Sequence, residues 1–377
     1  MARRKTSVKR LRVLIAPDKF KGTLTAAQAA RSISQGWHKS RSHDELALAP
    51  ISDGGDGFGP VLSQALRAKA VRVQTVDAAR RPVRATWWWV EETKTAIIES
   101  ANVIGLAMLP EGDFHPFVLD TFGLGRVISA AERKGARRAF IGIGGSATND
   151  GGFGLARALG WRFFDKSESE ILRWTDLGQL KTIAQPERKA FRGKLTVAVD
   201  VQNPLLGARG CSRIYGPQKG LRAADMKPAE TALRRLAKVV ETTIGSAVHK
   251  VSGSGAAGGL GFGLQAFANA RVQSGFELVA AQLGLRKMIR NSDLVIAGEG
   301  SLDPSSMMGK GVGELLLTCA DAGVPVIGLA GQVIRNRQAT RLLAGAHGLA
   351  DLVGSQRAIR EPASSLRELA RVTAADW

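Results

Sequence analysis

Residues 136–152 read ARRAFIGIGGSATNDGG, and this stretch decides the class of fold. The apolar run 139–143 predicts a buried strand, and segment 153–159, FGLARAL, predicts a helix after it. Between them lies a loop of glycines and small polar residues. A strand, glycine loop and helix in succession offer backbone N–H groups and the positive end of a helix dipole to an anion. Gly144 and Gly145 let the backbone come close to a ligand, and Ser146, Thr148, Asn149 and Asp150 add polar side chains. The combination suits phosphate handling.

Outward from this stretch the same grammar repeats. Run 11–16 leads into Asp18, Lys19, Lys21 and Gly22, then a helix from Thr25, where Thr25 and Gln28 have capping-box spacing. Run 46–51 leads into Ser52, Asp53, Gly54, Gly55, Asp56 and Gly57, with a helix ending near residue 66. Run 293–297 leads into Glu299, Ser301 and Asp303, with a helix over 313–320, and 324–329 and 349–353 read as two further buried strands. Between these ends lie runs 71–76, 95–99 and 195–199 and the consecutive Trp87, Trp88 and Trp89, read as a strand whose rings cover a sheet. Alternation of strand and helix predicts parallel α/β packing. The economical arrangement is a doubly wound parallel-sheet domain made of residues 1–78 and 285–377, with a second α/β domain, 79–284, inserted. Ligands of such sheets sit beyond the carboxyl ends of the strands, where all these loops fall, so one shared cleft is expected.

Bulk properties narrow the function. Glycine makes up 44 of 377 residues, about 12% against a usual ~7%, and clusters after apolar runs rather than in linkers. Cys211 and Cys319 stand far apart and five histidines are scattered, so no disulfide framework or zinc motif is read and a reducing cytoplasm is expected. The basic N-terminus is followed by too short an apolar run for a signal sequence, and no membrane span is expected. The net charge of +20 suits anionic small molecules. Its basic residues are dispersed and the chain has a single Tyr, so no specific nucleic-acid partner is expected.

Individual residues carry the chemistry. Lys21, on a tight turn, is placed to neutralise charge on a transferring phosphoryl group, and GPQKG (216–220) reads either as a second such loop with Lys219 as its cation or as a plain Pro-Gly turn. Asp200, at a strand end, is the candidate base for a substrate hydroxyl, with Asp53 the alternative; turn and cap roles also explain both aspartates. Asp53 and Asp56 equally suit magnesium or a polyol. Segment 253–263 contains six glycines, among them Gly255 and Gly258; approach to a ligand and close helix packing both account for it. Gly309, Lys310 and Gly311 repeat the lysine theme but make no Walker A loop, since Pro304 stands where glycine is needed and Gly311 where Ser or Thr is.

Seven segments taken in order resemble the bacterial type I glycerate kinase family: APDKFKGT (16–23), SDGGDG (52–57), GIGGSATNDGG (142–152), DVQNPLLG (200–207), YGPQKG (215–220), GSGAAGGLG (253–261) and GEGSLD (298–303). The resemblance implies a flavodoxin-like domain interrupted by a second α/β domain. It also implies ATP- and Mg2+-dependent phosphorylation of D-glycerate, usually to 2-phosphoglycerate. Ser301 departs from the family's usual Arg or Gln, and Arg126 from its usual Glu. On this footing Gly144, Gly145, Ser146, Thr148, Asn149, Asp150, Lys219, Gly255 and Gly258 are expected at the nucleotide. Asp18, Ser52, Asp56, Glu299 and Asp303 are expected at the substrate, and Lys21, Asp200 and Asp53 in catalysis. The rivals are a kinase giving 3-phosphoglycerate or using a related hydroxy acid, and a non-catalytic nucleotide- or polyanion-binding descendant.

Overall fold

The computed structural model of the chain describes residues 9–245, 247–307, 311–334 and 341–377. It divides into two compact units, Met1–Asp53 with Val279–Trp377, and Gly54–Leu278, so the second unit occupies the chain between two halves of the first.

Among the described residues, the first unit carries a five-stranded sheet in the order Gly345–Gly348, Val326–Val333, Leu294–Leu302, Arg12–Pro17, Glu45–Leu48, with every neighbouring pair parallel. Numbered along the chain within the unit, that order is 2-1-3-4-5 read from the Glu45–Leu48 edge. Strand Arg12–Pro17 is buried from its second residue on. That explains its unbroken apolar run, since a strand covered on both faces has no polar side to alternate with. Val13, Ile15, Phe20, Ile33, Trp37, Ile296, Leu329 and Leu366 form the core. Helix Ala26–Ser40 begins with the expected capping box, Thr25 with Gln28. It lies so close to helix Pro362–Ala375 that a Cβ on Gly36 would stand 2.0 Å from the Arg367 carbonyl oxygen. The register sets Pro17 beside Gly298, which brings the turn after Pro17 alongside the last residues of strand Leu294–Leu302.

The second unit, among the described residues, carries a six-stranded sheet in the order Arg271–Gln273, Lys194–Ala198, Arg138–Gly142, Thr95–Glu99, Pro82–Val90, Lys69–Val76. The first four strands run parallel, and the last two join antiparallel. Trp87 and Trp89 point into the core with their rings edge-to-face at 6.2 Å. The Trp88 ring fills the space a Cβ on Gly59 would need.

Three expectations shift. The units part at 53/54 and 278/279 rather than at 78 and 285. Strand Lys69–Val76 pairs along its whole length with Pro82–Val90, which ties residues 54–78 to the second unit. Residues 349–353 are helix, Leu349–Val353, and the strand is the preceding Gly345–Gly348; a short apolar run fits either state until its neighbours are known. Gly309 and Lys310 lie outside the described residues. No helix among the described residues is long and apolar enough to cross a membrane.

Candidate functional site

In the first unit, Asp18, Lys19, Lys21, Asp53, Glu299, Gly300 and Ser301 line a cavity of about 420 Å³. Strand pairing builds it. Past the end of Arg12–Pro17, the Asp18 N–H still donates to the Gly298 carbonyl at 2.8 Å, and Ile51 N–H donates to the Pro17 carbonyl at 3.0 Å, which carries Asp53 to the same end of the sheet. The chain then reverses: Phe20 and Leu24 exchange backbone hydrogen bonds of 2.8 and 2.9 Å, and Gly22 takes the left-handed φ of +78° that this turn requires. A Cβ on Gly300 would stand 3.2 Å from the Lys21 nitrogen, so the turn lies directly against the extended strand.

The charges in this cavity are unequal in their commitments. Lys19 Nζ lies 3.5 Å from Asp53 Oδ1 and 4.0 Å from Asp18 Oδ1, and the Lys19 N–H donates to Asp18 at 2.6 Å. Lys21 is exposed and makes no hydrogen bond or ion pair with a described residue. Glu299 is half-buried, and its Oε1 has no hydrogen-bond partner among the described residues. Burial first, with Asp18, Asp303 and Asp53 adding to it against a bond from Ser306, raises its carboxyl to about 7. Asp303 is held in the turn that ends the strand, accepting from the Ser301 hydroxyl at 3.2 Å while its N–H donates to Ser306 Oγ at 3.1 Å. Ser52 is buried.

The loops of the second unit are organised by the chain's own carboxylates. Asp150 is fully buried and accepts from Thr121 N–H (2.9 Å), Thr121 Oγ1 (2.8 Å), Gly152 N–H (3.1 Å) and Gly154 N–H (2.9 Å). Burial, then Asp120, raises its carboxyl to about 6. Glu99 accepts from Gly57 N–H at 2.9 Å and Gly59 N–H at 2.8 Å, at the start of helix Phe58–Ala65. Asp200 Oδ1 accepts from Gly275 N–H at 2.8 Å, the first residue of helix Gly275–Leu283. These three helix starts each already hold an internal carboxylate.

Lys219 is equally enclosed. Its ammonium donates to Ser146 Oγ at 3.1 Å and to the Thr148 carbonyl at 2.7 Å, and burial lowers its pKa to about 8. Ser146 in turn gives its hydroxyl proton to the Ala257 carbonyl at 3.2 Å. Asn149 donates to Ser212 Oγ at 2.9 Å, and Thr148 is buried. A Cβ on Gly255 would stand 2.2 Å from the Pro204 carbonyl oxygen, and one on Gly258 1.9 Å from that of Thr148, with φ at +69°. The glycines of this segment therefore serve close backbone packing. Gly144 lies against Gly55, and Gly145 against the Asp56 carboxylate.

The chain matches the model of the glycerate kinase family over residues 13–377. The chain belongs to the glycerate kinase family. It is 36% identical over 332 residues to a glycerate kinase of Bacillus subtilis (strain 168), covering 87% of each chain. It is 35% identical over 328 residues to a glycerate 2-kinase of Escherichia coli (strain K12), covering 86% of each. A crystal structure from Salmonella typhimurium LT2, presented as a candidate glycerate kinase 2, matches with a TM-score of 0.84 at 31% identity over 98% of both chains. The mixed α/β fold with mostly parallel sheets is thus shared with that structure.

Within this glycerate kinase family member, the structure gathers Lys21, Asp18, Asp53 and Glu299 around one cavity. It gathers Ser146, Thr148, Lys219 and Gly258 into a buried network in the second unit. Asp150, Lys219, Gly255 and Gly258, expected at the nucleotide, are engaged within their own unit, whereas Thr148 Oγ1 and Asn149 Oδ1 are buried with no hydrogen-bond partner among the described residues. Asp200, expected as a free base, spends one oxygen on a helix start. Lys19 and Ser301, read in the strand-end loops without a site role, and Gly300 also line the cavity. Lys19 carried a usable signal, a cation between Asp18 and Lys21 on one turn.

Proposed function

We propose that this protein is a type I glycerate kinase that transfers the γ-phosphoryl group of ATP to D-glycerate, giving 2-phosphoglycerate. The observation that carries this reading is the first-unit cavity, where an uncommitted lysine and a set of carboxylates stand at the carboxyl ends of parallel strands. The family match supports the substrate class, and the relative named glycerate 2-kinase supports the position phosphorylated. The 2-1-3-4-5 strand order supports a flavodoxin-like carrier for the cavity.

Phosphoryl transfer leaves little covalent chemistry to the protein, which must position the reactants and offset the charge on the transferring oxygens. Lys21 offsets that charge as an ammonium that no described side chain neutralises. Lys19, set between two aspartates, holds the turn in place. In the second unit, Asp150 and Lys219 hold the glycine loop around Ser146 in shape. Among the described residues no group of three or more His, Cys, Asp or Glu side chains is arranged to hold a metal ion. The described residues thus offer no self-contained magnesium site; the ion is proposed to arrive with the nucleotide, and no residue is assigned to it. Two buried free cysteines fit a cytoplasmic location.

The reading is tested by measuring ADP release from ATP and D-glycerate with and without magnesium, with NMR of the phosphorylated acid. Acceptor-dependent ADP release with phosphate on the 2-hydroxyl supports it. Release no faster than the acceptor-free control overturns it, and phosphate on the 3-hydroxyl overturns the position.

A further inference from the structure

The cavity of the first unit contains two charged groups, Lys21 and Glu299, that form no ion pair with a described residue. Asp18 and Asp53 share Lys19, and Asp303 is bonded within its own turn. Lys21 has no such engagement, and Glu299 takes a bond from Ser306 that leaves its Oε1 without a partner among the described residues. Asp18, Lys19 and Lys21 face Glu299 from the turn after strand Arg12–Pro17, Asp53 from the loop after strand Glu45–Leu48, and Asp303 from the end of its own strand; Gly311, which opens the next helix, brings no charge. No described lysine or arginine forms an ion pair with Glu299, and its buried Oε1 accepts no hydrogen bond. A largely buried carboxylate with other carboxylates around it and no described ion-pair partner is poorly built for a structural role and well built for taking up a proton.

We propose that Glu299 is the general base of the reaction, a role resting on the glycerate kinase reading above. The hydroxyl O–H bond of the bound hydroxy acid breaks and its proton passes to the Glu299 carboxylate. The freed oxygen forms a bond to the γ-phosphorus of ATP. The bond from that phosphorus to the bridging oxygen breaks, its electron pair leaving with ADP, and Lys21 offsets the charge on the phosphoryl oxygens. The proton returns to solvent when the product departs. A carboxyl raised to about 7 is part-ionised at neutral pH and matched to this task. Asp200, the base favoured by sequence, is not among the residues that line this cavity, and one of its oxygens accepts from the Gly275 N–H.

The test follows kcat and kcat/KM for D-glycerate between pH 5 and 9 in wild type, Glu299→Gln, Glu299→Asp and Asp200→Asn, each with a magnesium titration. Wild-type kcat/KM is expected to rise through an apparent pKa near 7. Glu299→Gln is expected to lose about 10²- to 10⁴-fold in kcat with KM little changed, and to lose that acid limb. Glu299→Asp retains the limb at an intermediate rate and decides the matter should the glutamine variant not fold. Asp200→Asn retains the limb. A Glu299→Gln kcat within fivefold of wild type, an unchanged limb, or recovery of kcat at high magnesium overturns the assignment. If wild type itself releases no ADP with D-glycerate, the functional reading falls and the base with it. Active wild type with an unaffected glutamine variant removes Glu299 alone.

Discussion

Replacing Glu299 by glutamine should make the protein more stable above neutral pH while impairing it as an enzyme. The magnitude follows from the cavity. An ordinary glutamate carboxyl titrates near 4.5, and burial among Asp18, Asp303 and Asp53 raises this one to about 7. At about 1.4 kcal/mol for each pH unit, ionised Glu299 costs the folded state about 3 kcal/mol. The sign is set by proton uptake. Between pH 4.5 and 7 the folded chain holds this proton more tightly than the unfolded chain, so stability falls as pH rises through that window. The cost is fully present above pH 7 and absent below 4.5. Glutamine carries no charge at any of these pH values and escapes it. Urea unfolding followed by circular dichroism should therefore show the variant ahead by about 3 kcal/mol at pH 8, narrowing towards zero near pH 4.5. Equal stability at pH 8, or a gain that does not vary with pH, would refute the electrostatic picture of the cavity. Gained stability and lost turnover in one substitution are what a strained functional group produces.

Other perturbations separate chemistry from architecture. Lys21→Met should lower kcat by two or more orders of magnitude, as about 3 kcal/mol of lost charge stabilisation implies, with an unchanged circular dichroism spectrum; near-normal turnover would remove Lys21 from the mechanism. Asp44→Asn should cost about 3–5 kcal/mol at pH 7 by leaving buried Arg41 without its carboxylate, read by urea unfolding. Burial works to raise Asp44, but bonds from Arg41, Leu11 and Trp37 outweigh it and hold the carboxyl below its ordinary 3.8; its contribution is therefore complete above that pH and lost as pH falls through the lower, folded-state value. Gly258→Ala should destabilise by at least about 2 kcal/mol, through a left-handed φ of +69° and a clash with the Thr148 carbonyl, whereas Ala257→Gly, at φ +55°, should be neutral or stabilising by up to about 1 kcal/mol. Thermal melts of the pair check the contrast.

Strands Arg12–Pro17, Leu294–Leu302 and Val326–Val333 of the first unit were legible because burial leaves unbroken apolar runs, and the Thr25 and Gln28 cap is a local motif that survives folding unchanged. The unit boundary was not. The alternating strand Lys69–Val76 declares its owner only through its antiparallel partner Pro82–Val90. Within the site, Asp18, Lys21, Asp53 and Glu299 were readable as residues at strand ends, a rule of topology that needs no long-range contact. The internal engagements of Asp150, Lys219 and Gly258 were not legible, for one physical reason. A glycine-rich acidic loop looks the same whether its amides bind a ligand or a carboxylate of the same chain. The Thr121 donors that satisfy Asp150 lie 29 residues away in sequence, and the Thr148 oxygen that demands glycine at 258 is equally invisible to local spacing.

The central claim is that the first-unit cavity directs a phosphoryl group onto D-glycerate with Lys21 as its cation. ADP release from ATP and D-glycerate, measured side by side for wild type and Lys21→Met, tests it most directly. Acceptor-dependent release by wild type that falls at least a hundredfold in the variant is the expected result. No acceptor dependence in wild type, or equal rates in the two proteins, would contradict it.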